Sequence, residues 1–293
     1  MKPFYLVETV TRDKLIHQGL FYRPKNPGKK AILLVHGLTS TFYGGIKLLE
    51  ALADECENAG FGLATFNNRG HDMITGIRKV DRRKPKGYGH MIGGAGYENF
   101  KDCIYDIEAG VDFLANQGFS EIIITGSSTG ANKVCFYASK TKNPHVLGFV
   151  LASPSSDRLT ITDKNRLEKN LLQMQDFVNQ GKSDELQIGY HFFPLTPKRY
   201  LSLFIPNSLE DTFDYGDPRP RLTYFSRIRK PLLVILGEID ESLDRSPEKV
   251  LSVFAECQTS VNYKSVIIPG SLHGFDGKEA RLVKIIVAWV KNL

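Results

Sequence analysis

Two hydrophobic patterns alternate along most of the chain. One is a short, nearly unbroken apolar run: AILLVHG (31–37), FGLATF (61–66), EIIIT (121–125), HVLGFVLAS (145–153), PLLVILG (231–237) and NYKSVIIPG (262–270). Runs this short and continuous predict strands buried on both faces. The other places apolar residues three and four apart. Ile46, Leu49, Leu52, Ala53 and Cys56 predict a helix over 45–59 that Gly60 closes. Phe100, Ile104, Ile107, Val111 and Leu114 predict another over 97–117, capped by Gly118. ANKVCFYASK after the third run is compatible with a helix, and two more are predicted at 246–257 and 277–291. Residues 4–10 and 14–22 read as two opening strands, the second ending before Pro24. Strands alternating with helices through both halves predict an α/β fold with a parallel, doubly wound sheet.

The alternation breaks twice. Residues 67–96 form a long segment rich in Gly and basic residues, read as an irregular loop. Residues 155–229 carry an amphipathic helix (Leu167, Leu171, Met174, Phe177, Val178) and a second helix opening at TPKRYLSLF, with Thr196 as N-cap and Pro197 in the first turn. The domain organisation expected is a core built from 1–154 and 230–293, with 155–229 as a helical cap over the carboxyl edge of the sheet, where α/β proteins bind ligands. The alternative is an ordinary helix pair of the core.

Composition narrows the class. A 293-residue chain with 42% hydrophobic and 24% charged residues can bury a real core. MKPFYLVETVTRDK has no signal-peptide pattern, and no segment approaches the roughly 18 apolar residues of a membrane span. Cys56, Cys103, Cys135 and Cys257 are scattered. They predict neither a disulfide framework nor a metal site, but buried thiols in a reducing, cytoplasmic setting. The net charge of +6 is concentrated in RKVDRRKPK (78–86). That run reads as a solvated loop, as a rim attracting anionic substrates, or as a nucleic-acid patch. The absence of interleaved aromatics argues against single-strand binding.

The chemistry centres on GSSTG (126–130), which follows a predicted buried strand and precedes a helix. It fits G-x-S-x-G with Ser128 in the middle: a sharp turn lifts the hydroxyl above the sheet at a helix N-terminus. A serine needs a base. Of the histidines that follow Ser128, His191 lies within 155–229, and His273, in the loop beyond the last strand, is the better placed. LLVILGEIDESLD (232–244) offers Glu238, Asp240, Glu241 and Asp244 as the acid. Asp240, three residues past Gly237, has a loop with room to turn toward His273 and is preferred over Glu238. The oxyanion donors expected are the amides of Thr129, after the nucleophile, and Leu38, after strand AILLV. His36 would orient that turn.

HG (36–37), NNRGHD (67–72), GSSTG (126–130), GEID (237–240) and SLHGF (271–275) together resemble the α/β-hydrolase superfamily of serine esterases and lipases, over nearly the whole chain outside 155–229. The resemblance implies a mostly parallel eight-stranded sheet, a Ser-Asp-His triad, no cofactor and no metal, and hydrolysis of a small carboxylic ester through an acyl-enzyme. Two departures stand out. Ser127 occupies a position where many members carry histidine, and the HGLT turn is not the HGGG of some esterases. SPSSDR (153–158) resembles a branch that includes siderophore ester hydrolases. A thioesterase, peptidase or acyltransferase would use the same apparatus. A non-catalytic binding protein on this scaffold is the reading from a different class, and nucleic-acid binding is not expected. An anionic ester is expected only if the basic run lies over the site.

Overall fold

The computed structural model describes residues 2–293. Eight strands fall where the sequence predicts them, six on the hydrophobic runs and two at the start: β1 (Tyr5–Val10), β2 (Leu15–Tyr22), β3 (Lys30–Val35), β4 (Gly62–Phe66), β7 (Glu121–Ser127), β8 (Val146–Ala152), β9 (Leu232–Gly237) and β10 (Tyr263–Ile268). Two more, β5 (Thr75–Val80) and β6 (Tyr88–Gly93), form an antiparallel hairpin inside the segment expected to be irregular. The sheet therefore has ten strands, not eight. Only Ile77 and Gly93 of the hairpin are buried, so its sequence shows no apolar alternation that would mark it as sheet. Six strands run parallel in the order β10-β9-β8-β7-β3-β4, and antiparallel β2 follows. Gly19–Tyr22 of β2 pair with β4 while Leu15 and Ile16 pair with β5, so β4 and β5 share one edge of β2 and β1 takes the other.

Both faces of the parallel part are covered. Ile122 and Ile124 of β7 join a core with α2 (Cys103–Asn116), α3 (Thr129–Ala138) and α6 (Pro247–Cys257). Ile123 points the other way, to α1 (Ile46–Ala59) and α7 (Glu279–Lys291). This is the period-two alternation of a strand buried on both sides. The helix expected from residue 97 begins instead at Cys103, after a single 3-10 turn at Phe100–Asp102. Gly60 accepts the left-handed conformation that ends α1, with φ 71°.

Residues 155–229 hold α4 (Lys164–Asn179) and α5 (Pro197–Phe204), whose Thr196 cap accepts a hydrogen bond from the Arg199 amide. Leu167, Met174, Leu203 and Phe204 form a small core with Ala95, and Leu38, at the turn after β3, packs against it.

Underneath lies a buried charge network. Glu98 accepts from Lys133 of α3 at 2.6 Å and from Arg199 of α5 at 3.2 Å, and Arg199 also pairs with Glu210. All four side chains are at most 1% exposed. Glu98 thus joins the helix behind GSSTG to the 155–229 segment. Removing one partner of a buried pair leaves the other charges uncompensated, at a cost of about 3–5 kcal/mol. Glu98→Gln should lower unfolding free energy by that amount in urea titration; a loss below about 1 kcal/mol would mean that the network behaves like a surface pair.

Candidate active site

The turn between β7 and α3 is built by exclusion. A Cβ on Gly126 would lie 2.3 Å from the Gly130 carbonyl oxygen, and one on Gly130 would lie 2.2 Å from that of Val35. No side chain fits at either position. Ser128 between them adopts φ 56°, ψ −131°, a backbone that non-glycine residues rarely take. Its amide donates to the Ala152 carbonyl at 3.0 Å, which ties the turn to β8.

The loop after β10 brings His273 to this serine. His273 Nε2 lies 2.9 Å from Ser128 Oγ, and Nδ1 lies 2.8 Å from Asp240 Oδ1. A carboxylate only accepts, so Nδ1 carries the proton and Nε2 is free to accept from the hydroxyl. Asp240 is buried, while Ser128 and His273 are half-exposed. His191 lies elsewhere, packed against Phe192, Phe193 and Phe204 in tilted and edge-on contacts. Glu238 accepts from the Gly270 amide at 2.7 Å and makes no hydrogen bond to His273.

Three contacts that sequence reasoning missed hold the histidine loop. The His273 amide donates to Glu241 at 3.0 Å, and Ser153 Oγ donates to the His273 carbonyl at 2.8 Å. Ser242 N donates to Asp240 Oδ1 at 3.0 Å. Ser153, just after β8, has φ 47°; it opens SPSSDR (153–158), a stretch whose resemblance gave it no structural role. Glu241 reads from sequence as a spare acid of its loop.

On the other side of Ser128, the Leu38 and Thr129 amides donate no hydrogen bond among the described residues. Thr129 opens α3, so its amide is one of the unpaired N–H groups at a helix start. The turn carrying Leu38 is fixed from behind. His36 Nδ1 donates to the Gly37 carbonyl at 3.0 Å, and its Nε2 accepts from the Asn68 amide at 3.1 Å. Asn68 Oδ1 in turn accepts from Lys133 at 3.1 Å. Among the described residues, no group of three or more His, Cys, Asp or Glu side chains converges to hold a metal ion.

A family model described as a protein of unknown function (DUF1749) matches residues 90–292. The chain belongs to this family. No curated protein matches the DUF1749 chain in sequence. Solved structures do match it in fold. A siderophore hydrolase, EstB, from Aspergillus fumigatus is 17% identical with a TM-score of 0.70, covering 99% of this chain and 98% of its own. A highly thermostable carboxyl esterase from Bacillus coagulans is 15% identical, TM-score 0.63, covering 100% and 99%. Est1E from Butyrivibrio proteoclasticus is 15% identical, TM-score 0.61, covering 97% of each chain. The DUF1749 chain has the α/β-hydrolase fold.

Burial pushes His36 down to about 3, with Lys133 adding to the effect. As pH falls below about 6.5, the unfolded chain takes up a proton on this residue that the folded chain refuses. Stability is therefore lost as pH falls from about 6.5 toward 3, by up to about 1.4 kcal/mol per pH unit. Burial likewise pushes His191 down to about 4, adding to the loss, whereas Asp157, pushed up to about 7 by burial and then Glu210, opposes it. His36→Gln isolates one contribution. Its unfolding free energy, measured between pH 6 and pH 4, should fall less steeply than wild type by about 1.4 kcal/mol per pH unit; parallel curves would show that His36 titrates normally.

Proposed function

We propose that this protein is a serine hydrolase that cleaves carboxylic esters, with Ser128 as nucleophile, His273 as base and Asp240 as the acid that orients it. The observation carrying this reading is the continuous hydrogen-bond chain Ser128 Oγ–His273–Asp240, at 2.9 and 2.8 Å, with its serine accessible and its aspartate buried. His273 takes the hydroxyl proton as Ser128 attacks the ester carbonyl, and Asp240 stabilises the imidazolium that forms. The oxygen that becomes negative is held by the amides of Leu38 and Thr129, which have no other partner to give up. His273 then protonates the departing alcohol, activates water on the acyl-enzyme, and returns the proton to Ser128.

The esterase neighbours support an ester over an amide or thioester, and the 155–229 segment, packed on the Leu38 turn, acts as the cap that shapes the pocket. Because EstB is a siderophore hydrolase, siderophore esters are substrates to try beside short activated esters. Three buried free thiols fit a reducing, cytoplasmic setting.

Ser128→Ala should abolish hydrolysis of a short activated ester, by a factor on the order of 10⁴ or more, while Ser127→Ala retains most of it. A fluorophosphonate probe should label wild type and fail on Ser128→Ala. An unlabelled, inactive wild type would leave a binding protein on a hydrolase scaffold, and labelling that persists in Ser128→Ala would move the nucleophile elsewhere.

A further inference from the structure

The excess positive charge of this chain sits in one place. A groove between the β5–β6 turn and the β1–β2 turn is lined by Lys14, Lys79, Arg82, Arg83, Lys84 and Lys86, with Asp81 its only acid. The whole chain has 38 Lys and Arg against 32 Asp and Glu; without the groove's six cations and one anion it has 32 against 31. Asp81 is paired with the exposed Arg83 at 2.9 Å. The two turns are joined by a hydrogen bond from the Val80 amide to the Lys14 carbonyl at 2.9 Å, so the cations are held together on a formed ribbon.

Next to the cations lies an uncovered sheet face. The register pairs Val10 with Ile16, Ile16 with Arg78, and Arg78 with His90, and so sets Leu6, Val10, Val80, Tyr88 and Ile92 on the same side. Leu6, Val10 and Ile92 are 68%, 53% and 62% exposed. Aliphatic side chains in a sheet, open to water and bordered by lysines and arginines, mark an interaction surface.

The ribbon also points in a defined direction. β4 and β5 are both antiparallel to β2, so β5 runs toward the same carboxyl edge as β4. Phe66, the last residue of β4, pairs with Gly19, whereas Lys79 pairs with Leu15, four residues further along β2. The basic turn thus begins about 13 Å beyond the end of β4, on the side from which the Ser128 turn also projects.

We propose that this ribbon and the sheet face behind it dock on an anionic lipid surface. Acidic headgroups match the cluster of cations, and the interfacial zone of a bilayer accepts Leu6, Val10 and Ile92. A nucleic acid would use the cations but has no use for bare aliphatics, and Tyr88 is the groove's single stacking residue besides His90. A second copy of the chain brings the same positive groove and offers no complementary charge. The docking is peripheral and does not depend on the ester-hydrolase reading. It sets the carboxyl edge of the sheet toward the bilayer.

The test is co-sedimentation of the full chain with phosphatidylcholine vesicles, with and without phosphatidylserine. Binding is expected only to the phosphatidylserine vesicles, and to weaken as salt is raised. The quadruple variant Arg82→Gln, Arg83→Gln, Lys84→Gln, Lys86→Gln should bind them on the order of a thousandfold more weakly, with an unfolding midpoint equal to wild type. A second variant, Val10→Gln with Ile92→Gln, should bind several-fold more weakly while keeping the salt dependence. Equal binding to both vesicle types, no binding, or quadruple-variant binding equal to wild type would each overturn the proposal. So would displacement of the protein from vesicles by a single-stranded oligonucleotide that it binds more tightly, which would assign the groove to nucleic acid.

Discussion

The turn between β7 and α3 has room for one side chain, and the rest of the site is arranged around that restriction. Val35, His36 and Gly130 approach so closely that a methyl group at Gly130 would overlap the backbone of β3. Ser128 then adopts a left-handed φ that costs about 1–3 kcal/mol. The cost is borne because α3 is buried along its whole length and the Ser128 amide is bonded to β8. Parallel strand order sets what can reach it. His273 follows β10, three strands from β7 and so about 14 Å away. Its loop must fold back across the ends of β9 and β8. That is why its backbone is held by a carboxylate from the β9 loop, Glu241, and by a hydroxyl from the β8 end, Ser153.

The second constraint is electrostatic. Glu98 sits beneath the site with two cations on it, one from the core and one from the 155–229 segment. Lys133 extends the network through Asn68 to His36, and from there to the Gly37 carbonyl beside Leu38. The Leu38 turn is therefore held from below by hydrogen bonds and from above by apolar contact with the α4–α5 core. A shift of the 155–229 segment would strain both. Burial keeps His36 neutral, which this arrangement requires: a charged imidazole would offer Asn68 a donor where its amide needs an acceptor.

Much of this was legible in the sequence, for identifiable reasons. Eight of ten strands could be read, five of them (β3, β4, β7, β8 and β9) as the unbroken apolar runs that strands buried on both faces leave, and the order Ser128, Asp240, His273 follows the loops after β7, β9 and β10. The structure brings those three residues together. The hairpin β5–β6 could not be read, because it lies largely in solvent and is specified by pairing to Leu15 and Ile16 rather than by its own pattern. Helix α2 starts later than its apolar spacing implies because Phe100 continues the helical stripe from a 3-10 turn. Arg199, Glu98, Lys133 and Glu210 carry no local signal at all. Each looks like a surface charge in its own segment, and only tertiary packing shows that they are buried together.

The position of the basic run also separates two questions that the sequence joins. In the sequence it invites an anionic substrate, provided that it lies over the site. The groove it forms shares no lining residue with the turns that carry Ser128, Asp240 and His273. Closer to the triad, the buried charges are matched: Lys133 and Arg199 face Glu98 and Glu210, and burial holds Asp157 well above the usual carboxylate range. On the proposed hydrolase reading, the 155–229 segment, which packs on Leu38, shapes the pocket, while the basic ribbon governs where the molecule is held.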